Sequence, residues 1–258
     1  MIPLLIIAGY FRSGTTMLYY LAEKCNRGLR VLYEPDHEML PYYVVKNRGW
    51  VNIFQPIKIR TYECYSKLSD DEVSELLRKH RINNCPFSLG EIGEYVDFLN
   101  RVADVIKVNR WTFILDEIID KYDAKVVYIV RNVYDVVASH LVYYEKTGDP
   151  NIFGNVMYYR RLKQRYNVTA KDIVERVTVN WFITNTYAYK LSLAYPENMF
   201  IVRYDDIVVK PYILREIEEF SGIKLTCENI VRRRKHRLPE DVKQKIRLKL
   251  RQIKAKHI

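Results

Sequence analysis

Two kinds of hydrophobic pattern take turns along this chain. Short unbroken apolar runs, "PLLIIA" at 3–8 and "KVVYIV" at 125–130, have the length and composition of buried parallel strands. "LRVLYEP" (29–35), "DVIKV" (104–108) and "NMFIVRY" (198–204) read the same way, the first of them stopped by proline. Between the runs, apolar residues recur at helical spacing. Met17, Leu18, Leu21, Ala22 and Cys25 mark a helix from Thr15 to about Asn26, and further helices are predicted over 112–122, 131–144 and 170–194. Pro211 suits the first turn of "YILREIEEF", Gly222 closes it, and a basic amphipathic helix runs from Pro239 onward. The stretch 36–103 is less regular. There Ser69-Asp70-Asp71-Glu72 is a capping box for a helix reaching about Arg81, and a second helix is predicted over 91–103. The alternation predicts a single α/β domain over 1–258, three layers deep, with a central parallel sheet of about five strands flanked by helices. Segment 36–103 is expected to be an insertion that binds an acceptor or forms a lid.

Composition adds constraints rather than a function. A chain that is 48% hydrophobic and 28% charged is an ordinary soluble protein. Its four cysteines (Cys25, Cys64, Cys85, Cys227) lie far apart without a C-x-x-C pair. That argues against a zinc site or a disulfide framework, and predicts a reducing, cytoplasmic setting. The apolar run at 4–8 is too short for a secretion signal or a membrane span. The net charge of +11 admits an anionic ligand or surface. It equally admits the solvated surface of a heat-tolerant protein, which 22 tyrosines and only four glutamines favour.

The chemistry concentrates in "IIAGYFRSGTT" (6–16). Gly9, Gly14 and Thr16 occupy the positions of G-x-x-x-x-G-K-[ST], but Thr15 stands where the lysine belongs. A glycine-rich turn between strand and helix still offers backbone N–H groups and a positive helix end to an anion. Charge is then supplied by Arg12, whose planar fork suits a tetrahedral oxyanion, with hydroxyls from Thr15 and Thr16. A second candidate is Arg131, at the carboxyl end of "KVVYIV", where open α/β sheets bind ligands. Its plainer reading is an ion pair with Asp135.

"GYFRSGTT" resembles the 5′-phosphosulfate loop of the PAPS-dependent sulfotransferases, a P-loop-like α/β family. "YIVRNVYDVVAS" (128–139) is similar to that family's 3′-phosphate segment, in which an arginine is followed eight positions later by a serine. The resemblance implies 3′-phosphoadenosine 5′-phosphosulfate (PAPS) as sulfuryl donor, PAP as product, and no metal in the transfer. It implies donor-binding roles for Arg12, Ser13, Gly14, Thr15, Thr16, Met17, Arg131 and Ser139. "YEPD" (33–36) resembles a Glu-Pro segment of the carbohydrate and tyrosylprotein branches, which makes Glu34 the catalytic base, with His37 in reserve. "VRYDDIVVKPYILREIEEFSGI" (202–223) resembles a late segment that would put Tyr204 near adenine, and Trp181 falls where many members place a tryptophan. Lys107 is expected to help neutralise the sulfuryl group.

Three features depart from the branch that sulfates small phenols. Asn109 stands where that branch has its catalytic histidine, and Met17 where it has an adenine-stacking tryptophan. The basic run "VRRRKHR" (231–237) lacks the glycine of the R-K-G string. The implied acceptor is therefore a hydroxyl of a glycan, glycolipid or tyrosine. Two other readings stand beside this one. A P-loop kinase or nucleotide hydrolase would use magnesium, with Asp205 and Asp206 as the available carboxylates. A nucleic-acid- or membrane-surface module would rest on the basic C-terminal helix, but no nucleic-acid motif supports it. Under the enzyme reading that helix makes at most peripheral contact with anionic surfaces, and no nucleic-acid partner is expected.

Overall fold

Strand β1 (Leu5–Gly9) is buried at every position, which is why "LIIAG" holds no polar side chain. The computed structural model describes residues 4–33, 96, 99–101, 103–109, 111–147, 169–227 and 237–257. In chain order the elements are β1, α1 (Thr15–Cys25), β2 (Val31–Tyr33) and β3 (Val105–Lys107). A 3-10 turn (Trp111–Ile114) leads into α2 (Leu115–Tyr122), followed by β4 (Lys125–Val130) and α3 (Val133–Thr147). The series ends with α4 (Ile173–Ala194), β5 (Met199–Arg203), α5 (Tyr204–Val209), α6 (Tyr212–Ser221) and α7 (Glu240–His257). The five strands form one parallel sheet in the order β2-β3-β1-β4-β5. That is the sheet the sequence predicts.

The pleat divides the strand residues between two cores. Ile6, Ala8, Ile106, Val126 and Tyr128 face the layer of α2, with Leu115, Ile118 and Ile119. Leu5, Ile7, Val105, Val127 and Ile129 face α1 and α6, meeting Leu18, Leu21, Ala22, Leu214 and Ile217. Each fully buried aliphatic side chain of this kind contributes about 1.5–3 kcal/mol. Because β1 and β3 lie on one side of the crossover and β4 on the other, the chain reverses its direction of travel across the sheet beside β1. The carboxyl ends of β1, β4 and β5 come level there, with Gly9 opposite Ile129 and Val130 opposite Arg203. Open parallel sheets bind their ligands at that place.

Boundaries shift where caps take over from pattern. The helix predicted from 112 begins as a 3-10 turn, and the one predicted from 170 begins at Ile173, because Asp172 accepts from the backbone N of Glu175 at 3.0 Å. Tyr204, read as the end of a strand, instead opens α5. Gly222 does close α6, with φ 70°. The capping box at Ser69 and its helix lie outside the described residues; of the helix predicted over 91–103, residues 96 and 99–101 are helical.

The basic C-terminal helix is not simply a solvated run. α7 docks on α4 and its neighbours through Ile246 and Ile253. Lys249, largely buried, bonds Glu175 at 2.9 Å and the Thr169 carbonyl at 3.0 Å, and Lys245 pairs with Asp172. Part of the tail's charge therefore latches α7 to the first turn of α4.

The cysteines overturn the expectation of unpaired thiols. Cys25 and Cys227 form a disulfide across 202 residues, with Cα atoms 5.4 Å apart. Spacing gives no hint of it, because only the fold brings the end of α1 against the chain leaving α6. Ile223 and Leu225 join the same core as Leu18 and Leu21. Asn26 donates to the Lys224 carbonyl at 2.7 Å and accepts from its backbone N at 3.2 Å. Disulfides are rare in reducing cytosols but persist inside hyperthermophiles, so the cysteines no longer speak for a reducing compartment. Among the described residues, no helix is long and apolar enough to cross a membrane.

Candidate active site

The loop after β1 is built by sterics before it is built by charge. A Cβ on Gly9 would lie 2.6 Å from the Ile129 carbonyl oxygen and 3.0 Å from Thr15 Cγ2, so only glycine lets the chain leave the strand there. Ser13 N then bonds the Tyr10 carbonyl at 3.1 Å, and Arg12 and Gly14 take left-handed φ values of 66° and 101°. Gly14 caps α1 without a side chain, and Met17 N bonds the Gly14 carbonyl at 3.0 Å, so no side-chain cap competes with an anion for the N–H groups of Thr15 and Thr16.

Tyr204 covers that glycine. Its ring occupies the space that a side chain at position 14 would need. Gly14→Ala therefore combines a left-handed backbone penalty with overpacking, and should lower stability by about 2–4 kcal/mol. Thermal denaturation checks this, and a melting temperature equal to that of the wild type would contradict it.

Arg131 ties the second predicted segment to the first. Its Nη1 donates to the Arg12 carbonyl at 3.1 Å, and its guanidinium stands 4.7 Å from the centre of the Tyr204 ring. Trp181, from α4, donates its indole N–H to the Arg131 carbonyl at 2.8 Å. Asp135 Oδ2 lies 3.9 Å from Arg131 Nε, so the ion pair is present but long. Ser139, half-buried, sits two turns along α3. Arg12 is also stacked, 4.6 Å over the ring of Tyr143 on the same helix. Two arginines thus flank Gly14, each held on an aromatic face, which supports a cation without neutralising it.

On the other side of the loop, β3 ends at Lys107, paired in register with Ile7. Lys107 is 1% exposed, and its ammonium lies 4.6 Å from the centre of the Tyr33 ring. The Tyr33 hydroxyl is 3.3 Å from Thr16 Oγ1, so Lys107 and Thr16 meet on one residue. Thr15 Oγ1 donates to Asn109 Oδ1 at 3.2 Å. Asn109 thus ties β3 to the start of α1. Met17 packs partly buried against the α1 core. Glu34 and His37 lie outside the described residues. Below the loop, burial pushes the hydroxyls of Tyr10 and Tyr128 well above the usual phenol range. Both stay protonated and neither is a base.

The fold therefore gathers Arg12, Ser13, Gly14, Thr15, Thr16, Arg131 and Tyr204 at the carboxyl end of the sheet, with Lys107 beside them. Sequence reasoning missed Tyr33 and Tyr143. Tyrosine is abundant in this chain, and nothing local marks these two as the ones that carry cations. Asp206, at the start of α5, is engaged by Lys210 at 2.9 Å. Among the described residues, no three acidic, histidine or cysteine side chains gather as metal ligands.

A family model described as "Sulfotransferase domain" matches residues 3–257. A relative from Archaeoglobus fulgidus, described as "Uncharacterized protein", is 25% identical, over 84% of this chain and 83% of its own. The crystal structure of a sulfotransferase from Alicyclobacillus acidocaldarius is 14% identical over 99% of this chain and 94% of its own, with a TM-score of 0.47. A mouse sulfotransferase complexed with PAP is 14% identical over 95% of this chain and 62% of its own, with a TM-score of 0.43.

Proposed function

The chain belongs to the sulfotransferase domain family, and from that premise we propose that it transfers a sulfuryl group from PAPS to an acceptor hydroxyl. The observation that carries the donor half is the convergence of Arg12 and Arg131 on one glycine-capped turn, joined by the bond from Arg131 to the Arg12 carbonyl. A helix N-terminus with two arginines suits a ligand bearing a 5′-phosphosulfate and a 3′-phosphate.

In the reaction, the acceptor oxygen attacks sulfur in line. A sulfur–oxygen bond forms as the bond to the bridging 5′-phosphate oxygen breaks, and PAP leaves with the electron pair. Arg12 and the amides of Ser13 to Thr16 stabilise the charge that grows on that oxygen, and Lys107 helps neutralise the sulfuryl group. Arg131 and Ser139 hold the 3′-phosphate, and Tyr204 and Met17 lie toward the adenine. Glu34, next after Tyr33 in the sequence, takes the hydroxyl proton. No metal is needed. The acceptor is a glycan, glycolipid or tyrosine hydroxyl, chosen by 36–103 as binding insertion and lid. The setting is cytoplasmic, and α7 makes at most peripheral contact with anionic surfaces.

The test is thermal stabilisation by PAP and, separately, by magnesium-ATP. PAP at a hundred times its dissociation constant should add about 2.7 kcal/mol, unchanged by EDTA. Stabilisation by magnesium-ATP alone would replace this reading with that of a P-loop kinase.

A further inference from the structure

Tyr33 closes β2 and pairs in register with Lys107 of β3, at the carboxyl end of the sheet. Its ring meets the buried ring of Tyr19 on α1 edge to face, with centroids 5.1 Å apart and planes at 77°. The Lys107 ammonium stands 4.6 Å from the centre of the Tyr33 ring, and the Tyr33 hydroxyl lies 3.3 Å from Thr16 Oγ1. Lys107 is buried, so an aromatic face supplies part of the solvation that its charge gave up.

The two first-turn threonines of α1 are not equivalent. Thr15 donates its proton to Asn109 Oδ1 at 3.2 Å, which commits that hydroxyl to β3. Thr16, half-buried, faces the Tyr33 phenol instead. The phenol is the stronger acid of that pair and donates, so Thr16 Oγ1 accepts and keeps its own proton for an anion. A helical threonine otherwise divides between two χ1 rotamers, because its hydroxyl can turn back to a carbonyl of the preceding turn. The bond to Tyr33 selects between them.

We propose that Tyr33 is a positioning residue of the donor site: its hydroxyl sets the Thr16 hydroxyl to donate to the 5′-phosphate, and its ring holds the Lys107 ammonium toward the sulfuryl group. The inference rests on the donor reading above and gives a role to a side chain which that reading leaves unused.

The experiment measures binding of PAP and of PAPS to the full chain by calorimetry, with no acceptor present. Tyr33→Phe keeps the ring and loses only the hydroxyl. It should weaken PAP about fivefold in the wild-type background and less than about twofold in Thr16→Val, where the partner hydroxyl is gone. In Thr16→Ser, which keeps a hydroxyl, the loss should return. The ratio of PAPS to PAP affinity should be unchanged in Tyr33→Phe and fall about threefold in Tyr33→Leu, because only PAPS presents a sulfuryl group to Lys107. A tyrosine that merely packs would leave PAP affinity unchanged on replacement by phenylalanine, or lower it equally in the wild-type and Thr16→Val backgrounds. Either result overturns the proposal, as does a ratio that Tyr33→Leu leaves unchanged. Should the leucine variant not fold, the phenylalanine series decides alone. If the wild type itself binds neither ligand, the donor reading falls and this role with it; binding without coupling to Thr16 removes Tyr33 alone.

Discussion

Arg12→Ala should lower the rate of sulfuryl transfer roughly a hundred- to a thousandfold while leaving the protein folded. The reasoning is differential. Arg12 sits on the turn that precedes the helix N-terminus, where in the proposed mechanism charge develops on the bridging oxygen as the bond to sulfur breaks. Removing one preorganised donor of that kind costs about two to three orders of magnitude in rate. The folded state loses much less. The contact of Arg12 with the Tyr143 ring is partly exposed and contributes about 0.5–1 kcal/mol, while the bond from Arg131 goes to the Arg12 backbone carbonyl and survives. Arg12→Lys should recover only part of the rate, because an ammonium keeps the charge but not the planar fork. Single-turnover kinetics beside a melting curve separate the two quantities. An Arg12→Ala enzyme with wild-type turnover would remove Arg12 from the mechanism.

The second large effect concerns stability. Replacing both Cys25 and Cys227 by serine should lower the unfolding free energy by about 3–5 kcal/mol, since the bridge closes a loop of 202 residues in the unfolded chain. The hydrogen bonds of Asn26 to Lys224 and the apolar contacts of Ile223 and Leu225 do not depend on the bridge, so the native arrangement should survive the loss. Denaturant melts of the wild type with and without reductant should show the same difference, and the serine variant should be indifferent to reductant. Alkylation that finds four free thiols in the untreated protein would show the bridge absent and the prediction void.

The sequence was most legible where one local rule sufficed. Apolar runs located all five strands of the sheet, although only β1 is apolar and buried throughout, and β3 ends in the buried Lys107. The spacing of Gly9 and Gly14 located the loop, because close approach to Ile129 and to Tyr204 excludes any Cβ at either position. Arg131 was legible as a candidate because it directly follows such a strand. Its bond to the Arg12 carbonyl was not, because it joins residues 119 positions apart. Ends of elements were misplaced at Asp172, where a side-chain cap sets the start of α4, and at Tyr204, which opens α5 without one.

By itself the sequence determined the alternation of strands and helices, the loop with threonine at the lysine position and Arg12 ahead of it, and the family resemblance carried by two segments. These are properties of neighbouring residues, fixed by backbone sterics and side-chain period. Only the tertiary structure decided which tyrosines support Arg12, Arg131 and Lys107, that Asn109 ties β3 to α1, and that Cys25 meets Cys227. Each of those depends on which segments the packed sheet brings together. That is settled by burial of two apolar faces over the whole chain, and no short stretch of residues encodes it.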